Sequence, residues 1–546
     1  MKKILYVYGG PDFHPTEPAG KILETLLKSD GRFELEKSNN LDVFTNLPSR
    51  NYSAVVVYTT GFYNDLTPER EKGLLEFIQK GGGFVGIHSA TDSFRSSRAY
   101  IDMIGGEFLT HPPQQEFKVF IAEREHYLTI RMPDFDIYDE MYHLQNYDPS
   151  KVKLLAYTIW QGKQMPMAYA REYGKGRVVY LANGHSLQVW NHPEFQKLLI
   201  RAIAWTTGEN LTERTVSYGL LGYGWMGRFH AGKINQIPGL TLTAICDTSI
   251  ERVEMARQEL PNLKGYFTKL DEMLTMPELD LVFVVLPHNA HAEATVRCLE
   301  AGKHVVVEKP MCLTVKEANA MINKAREKQR MLSVFHNRRW DSDYLMIKDI
   351  ISRGLIGEVF HIEAGVGNYG HPGFQWRSDK EVSGGVMYDW GAHFIDWILN
   401  LVPSKITQII GDFQKRVWHS ITNEDHGQVI MRFENGVIAD FMISNIAGSI
   451  RPKWRILGTK GAIEVNWNNE IRLTSYTSGI KQDSVLKVDT IEARWNEFYR
   501  NIADHLLMKE ELIVKPEEAR RVIGVIESAY KSYFLGKSIP PIEGCE

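Results

Sequence analysis

The chain has 546 residues, more than a single hydrophobic core usually serves, so at least two domains are expected. Its composition, 43% apolar and 24% charged, is that of a globular protein, and a net charge of −4 without a basic stripe leaves no footprint for a nucleic-acid partner. No stretch approaches the ~20 uninterrupted apolar residues of a membrane helix, so no membrane partner is expected either.

The N-terminus, Met1 to Tyr8, is basic and then apolar. The run is short, β-branched and closed by Gly9-Gly10-Pro11 without a small-residue cleavage site, so it reads as a first buried strand and not a leader. A helical stretch follows over Gly20–Leu27, then a strand over Ala54–Tyr58, a helix over Pro68–Gln79 and a strand over Gly83–Ile87. Strands alternating with helices imply parallel βαβ units. This half closes with a strand over Gly176–Leu181 and a helix over Glu194–Thr206, and the polar stretch 207–214 reads as a linker.

A new strand–turn–helix begins at Val216, with further strand candidates over Leu242–Cys246, Leu281–Leu286, His304–Val307 and Met331–Val334. Beyond residue 340, alternating stretches over Phe360–Val366, Gly427–Phe433, Val437–Ile443 and Ala462–Trp467 predict a mostly antiparallel sheet. The expected division is therefore α/β over 1–207, a Rossmann domain over 213–336 and an α+β domain over 337–546. Cys246, Cys298, Cys312 and Cys545 have neither metal-type nor disulfide-type spacing, so no metal is expected and a reducing, cytoplasmic setting fits.

Gly222-Tyr223-Gly224-Trp225-Met226-Gly227 follows the strand starting at Val216 and runs into a helical stretch over Arg228–Gln236. That context makes GxGxxG a dinucleotide turn, with glycines for the turn, for approach to the pyrophosphate and for helix–strand packing. The second strand ends at Asp247, where a carboxylate accepts ribose hydroxyls and repels a 2′-phosphate; NAD is expected ahead of NADP, with Arg252 softening the preference. The same carboxylate would serve as a helix cap. Pro287, His288, Glu308 and Lys309 are placed with the cofactor.

Two constellations supply chemistry. Glu308-Lys309-Pro310 stands directly after a strand, at the edge where doubly wound folds bind ligands, and the lysine there could stabilise a developing alkoxide. In Gly384-Gly385 to Asp396, a helix would put Asp389, His393 and Asp396 on one face. His393 is the expected base for a hydroxyl proton, with Asp389 either orienting the imidazole or holding a neighbouring hydroxyl.

Together these residues resemble the Gfo/Idh/MocA family, the glucose–fructose oxidoreductase and inositol dehydrogenase group, from about Val216 to the C-terminus. The resemblance implies a Rossmann domain plus an open-faced, mostly antiparallel sheet that also serves as an oligomer interface, hence a homodimer or homotetramer. It implies that Lys309, Asp389 and His393 act on a sugar or cyclitol hydroxyl, with Asn337, Arg338, Trp376 and Arg377 lining the carbohydrate pocket.

In the first half, Gly86-Ile87-His88-Ser89-Ala90 has the position of a nucleophile elbow but carries His88, so acyl transfer is not expected. With His88, the residues His14, Glu140, His143 and His185 could bind a metal or perform acid/base work, although no pair has HExxH-type spacing. This half resembles the trehalose-utilisation ThuA-like family through Gly86–Ser89, Asp139–Tyr142, Tyr173–Arg177 and Gly184-His185. That resemblance implies a flavodoxin-like domain of the class I glutamine amidotransferase type, acting in the metabolism of oxidised disaccharides. His14, His88, Glu140 and His185 form its candidate second site. The combined expectation is an NAD-dependent oxidoreductase of a sugar, glycoside or cyclitol, such as C3 of a glucoside, fused to a domain that processes the keto-sugar. A redox-neutral, NAD-recycling glycosidase or lyase and a non-enzymatic NAD-binding regulator stay open as alternatives.

Overall fold

The structure, a computed structural model, describes residues 1–546 except 63, 212–213, 469, 478, 488–493 and 546. Two of the eight residues assigned to the linker, Thr212 and Glu213, therefore lie outside the described residues. The chain divides into two compact units, Met1–Glu213 and Arg214–Glu546.

The first unit is built on a sheet of nine strands, in the order Phe33–Ser38, Lys2–Gly9, Ala54–Thr59, Gly83–Ile87, Gly176–Leu181, Lys163–Tyr173, Lys153–Trp160, Gln115–Ile121 and Phe135–Asp139. The first five are parallel. Ala54–Thr59 is buried at every position, as a strand covered on both faces must be, which is why it reads as one apolar run. Helix Pro68–Gln79 starts where Thr67 accepts a hydrogen bond from the Arg70 N–H and Pro68 occupies the first turn.

The last four strands pair antiparallel. They extend the parallel βαβ units read from the sequence with strands that were not among those expected. Proline at 166, beside a register shift, hides strand Lys163–Tyr173 from a periodicity reading, whereas Gln115–Ile121 alternates in burial.

In the second unit a six-stranded parallel sheet has the order Gly265–Phe267, Leu240–Cys246, Val216–Leu221, Leu281–Val284, His304–Val307, Leu332–Val334. In chain order that is 3-2-1-4-5-6, the doubly wound arrangement whose crevice lies beyond the first and fourth strands. An eight-stranded sheet follows, antiparallel except where Val359–Gly367 pairs with Ile438–Ser444.

Helix Trp390–Leu401 lies on that sheet, buried from Gly391 to Leu399, with Phe394 stacked on Phe441. Helix Pro516–Leu535 runs so close to Ile406–Gln414 that a Cβ on Gly411 would lie 2.1 Å from the Ala529 carbonyl oxygen. No helix among the described residues is long and apolar enough to cross a membrane.

The single-face reading of Asp389, His393 and Asp396 is also corrected. Asp389 precedes the helix with a non-helical backbone, φ −82° and ψ −86°. Asp396 is buried in a salt bridge with Arg339, its Oδ1 2.5 Å from Nη2. Only His393 of the helical pair reaches the cavity described next.

Candidate functional site

The glycine turn divides its labour. Gly222 has φ +102°, and a Cβ there would sit 2.1 Å from the Val285 carbonyl oxygen. At Gly227 a Cβ would meet the Gly222 carbonyl oxygen at 2.2 Å. Both glycines are demanded by the chain's own packing. At Gly224 the nearest atom to an added Cβ is the Arg252 guanidinium at 4.0 Å, so that glycine leaves open space. It caps helix Trp225–Ile234 with no side chain bonded to the helix end. Free N–H groups and the positive end of the helix dipole fit a pyrophosphate there.

Asp247 holds this turn from below. Its Oδ2 accepts from the Tyr223 N–H at 2.8 Å and its Oδ1 from the Ser249 N–H at 2.9 Å, with Arg252 Nη1 3.4 Å away. The helix-cap alternative for Asp247 is not what the structure shows: Ser249 caps the next helix, its side chain accepting from the Arg252 N–H, and Asp247 braces the Ser249 backbone just before it. Tyr223 contributes backbone only, because its buried ring donates its hydroxyl to Glu259.

A cavity of about 510 Å³ opens beside the turn. Gly224, Trp225, Met226, Gly227 and Arg252 border it, as do Pro287, His288 and Glu308 from the expected cofactor set. Lys309, Asp389 and His393 lie on its wall together with Asn337, Arg338, Trp376 and Arg377. Gly222, Tyr223 and Asp247 stand behind that wall.

Lys309 Nζ is 2.5 Å from Asp389 Oδ1 and 3.4 Å from the Asp389 carbonyl oxygen. Burial would raise the Asp389 carboxyl, but the Lys309 ammonium brings it down to about 2. Its side chain is still 40% exposed because it faces the cavity. His393 is driven well below the ordinary histidine range, by burial first and then by the positive charges of Lys309 and Arg338. It is therefore neutral, and its buried Nδ1 has no hydrogen-bond partner. The expected Asp389–imidazole contact is replaced by the Asp389–lysine pair.

Glu308 orders the strand end that carries the lysine. Its Oε2 accepts from the Lys309 N–H at 2.9 Å, while its Oε1 lies 3.0 Å from His230 Nε2. The other ring nitrogen of His230 is 2.9 Å from the Tyr499 hydroxyl, and the Lys309–Pro310 bond is cis. Burial would raise the Glu308 carboxyl, yet His230 and Lys309 hold it low. His288, its Nδ1 2.9 Å from the Ser383 carbonyl oxygen, is pushed down to about 3 by burial and by His291.

Arg338 is held between the rings of Trp390 and Trp495, at 4.6 and 5.3 Å, and bonds Asp341 at 3.0 Å. Arg377 lies 4.3 Å over the Trp376 ring. Trp390, Trp495, Phe229 and Phe335 also line the cavity and were missed by the sequence reading. Trp390 adjoins Asp389 and could have been found there; Trp495 belongs to no motif and carried no signal.

In the first unit, His14, His88, Glu140 and His185 converge although their spacing carried no pattern. His143 stays outside the cluster, and His111, not singled out in the sequence, lies 3.6 Å from Glu140.

Comparisons with known proteins agree with this division. Residues 3–206 match the model of the trehalose-utilisation (ThuA) family. Residues 216–336 match an oxidoreductase family with an NAD-binding Rossmann fold, and 344–464 match the Gfo/Idh/MocA C-terminal domain. The chain is 30% identical to scyllo-inositol 2-dehydrogenase (NADP(+)) IolW of Bacillus subtilis, over 58% of this chain and 94% of that protein. It is 26% identical to scyllo-inositol 2-dehydrogenase (NAD(+)) of the same organism, over 53% and 84%. Among solved structures, an NAD-binding protein from Listeria innocua superposes with a TM-score of 0.55 at 28% identity, over 60% of this chain and 98% of that one. The chain belongs to the Gfo/Idh/MocA family of oxidoreductases and carries a ThuA domain ahead of the oxidoreductase portion.

Proposed function

We propose that this oxidoreductase oxidises a secondary hydroxyl of a sugar, glycoside or cyclitol, using NAD in preference to NADP, with Lys309, Asp389 and His393 as its reacting group. The observation that carries this reading is the Lys309–Asp389 ion pair beside a neutral His393 whose Nδ1 has no hydrogen-bond partner, on the wall of the cavity that the glycine turn borders. The two inositol dehydrogenases to which the chain is similar favour a polyhydroxylated substrate.

A bound nicotinamide supplies the hydride acceptor. The chain's own groups manage the proton and the charge. Neutral His393 takes the hydroxyl proton, and the Lys309 ammonium donates a hydrogen bond to the oxygen as negative charge grows on it. Asp389 keeps the lysine aimed. Arg338 and Arg377, each stacked on tryptophan, and buried Asn337 offer donors to further hydroxyls. Asp247 would repel a 2′-phosphate, and Arg252 tempers that repulsion.

Oxidation at C3 of a glucoside is the form that gives the fused domain a task, because a 3-keto group acidifies the neighbouring C2–H. We further read domains over 1–207, 213–336 and 337–546. Homo-oligomer formation through the large sheet is supported by Phe360, Ile410 and Val485, apolar and exposed on its strands. Four thiols without disulfide partners suit a cytoplasmic setting. The test is a panel of inositols and glycosides with NAD or NADP, reading net reduced cofactor and product mass. Stoichiometric NADH with a keto product supports the reading. Glycoside cleavage with no net NADH would replace it by cofactor recycling, and no turnover at all would favour a regulator.

A further inference from the structure

Four side chains far apart in sequence meet at one edge of the first unit's sheet. His14 follows strand Lys2–Gly9, His88 follows Gly83–Ile87, Glu140 follows Phe135–Asp139 and His185 follows Gly176–Leu181. One nitrogen or carboxylate oxygen from each lies within 4.8 Å of all the others. Glu140 Oε2 is 3.3 Å from His88 Nε2 and 3.2 Å from His185 Nδ1.

The outer side of the cluster fixes the inner side. His88 Nδ1 lies 2.7 Å from the Ala182 carbonyl oxygen, so it carries the hydrogen and Nε2 presents a lone pair inward. His14 Nδ1 is 2.6 Å from Thr60 Oγ1. Asp139 pins the segment bearing His185 by accepting from Asn183 Nδ2, the Gly184 N–H and the His185 N–H at 3.1, 2.9 and 3.2 Å. His88 itself is held at φ +44°, a left-handed conformation that a side chain adopts only when its surroundings impose it. These are the outer contacts that orient metal-binding imidazoles.

The inward atoms have nothing else to do. His14 Nε2, His88 Nε2 and His185 Nδ1 are buried without a hydrogen-bond partner. Left alone, three imidazole nitrogens would crowd a carboxylate, an arrangement that is costly to bury. A cation satisfies all four groups together. Zinc–ligand bonds of ~2.0–2.1 Å in a tetrahedron put ligand atoms about 3.3 Å apart, matching the two measured Glu140 distances.

We propose that His14, His88, His185 and Glu140 form a binding site for one divalent first-row transition ion, with zinc as the best match. Three imidazoles and one carboxylate suit that class and not calcium or magnesium, which take oxygen ligands. The side chains of His185 and His111 are 15% and 34% exposed, giving an ion a path from solvent. The ligands come from four strand ends, which is why spacing along the sequence gave no metal pattern.

The test uses the intact chain, stripped with chelator and dialysed against Zn²⁺, with bound metal measured by mass spectrometry. Co²⁺ substitution then reads the coordination by its visible spectrum. One ion per chain is expected, with affinity falling at least ~100-fold in His88→Ala and Glu140→Gln. His185→Gln, on the partly exposed side, is the variant to use if the buried ones misfold, and equal unfolding temperatures in chelator certify the fold. Binding well below one ion per chain in the parent, or undiminished binding in folded variants, overturns the proposal. Because metal content is the readout, the result is independent of whether the second unit is a dehydrogenase.

Discussion

Lys309 and Asp389 are 80 residues apart, yet Nζ and Oδ1 lie 2.5 Å from each other. The contact joins the end of strand His304–Val307 in the nucleotide sheet to the residue just before helix Trp390–Leu401 on the second sheet. Neither sheet alone makes a reacting centre; the pair brings a cofactor edge and a helix start to one cavity wall.

The two kinds of glycine in the turn should respond differently. Gly222→Ala forces a strained φ and a contact with Val285, so the chain should lose stability along with cofactor binding. Gly224→Ala meets no protein atom closer than 4.0 Å, so the unfolding temperature should hold while the dissociation constant for NAD rises tenfold or more, about 1.4 kcal/mol. Calorimetry and tryptophan-fluorescence titration on both variants check this. A Gly224→Ala protein that binds NAD normally would show that the pyrophosphate does not pass there.

His393 sets the pH dependence. Its value is depressed, so the neutral form that accepts a proton persists as pH falls through ~6.5, where an ordinary histidine would charge. The kcat/KM profile should stay flat across that value and drop only at lower pH. An inflection near ~6.5 that vanishes in His393→Asn would mean the imidazole is not shielded as described.

Asp396 was grouped with His393 by spacing, yet it serves the fold. Asp396→Ala leaves the Arg339 guanidinium buried with Glu518 as its remaining charged partner. Loss of one side of a buried pair should cost about 3 kcal/mol, read as an earlier unfolding transition. A variant as stable as the parent would show the pair to be dispensable.

Cofactor choice should turn on Asp247. Asp247→Ser removes the carboxylate that repels a 2′-phosphate and leaves Arg252 free to meet one. The ratio of kcat/KM for NADP over NAD should rise at least tenfold, about 1.4 kcal/mol. An unchanged ratio would assign Asp247 to the support of Tyr223 and Ser249 alone.

What was legible in the sequence is what is local. The strand–glycine turn–helix, the Glu308-Lys309-Pro310 strand end and the Asp389 to His393 segment each concentrate their signal within a dozen residues. What was not legible depends on long-range pairing. Arg339 captures Asp396 across 57 residues, Trp495 reaches Arg338 from a segment with no motif, and Glu140 gathers three histidines from separate strand ends. Strand Lys163–Tyr173 of the first unit escaped because Pro166 stands at a register shift, which disturbs the alternation that a periodicity reading needs, whereas Phe135–Asp139 does alternate and was simply not singled out.

Lys309 is the residue on which the reacting centre depends most directly. With a substrate from the inositol and glycoside panel, single-turnover NADH formation should fall ~10²–10³-fold in Lys309→Ala, while NAD titrates with the parent's affinity. Unimpaired hydride transfer in that variant, at normal cofactor occupancy, would contradict the assignment of this ion pair as the reacting centre.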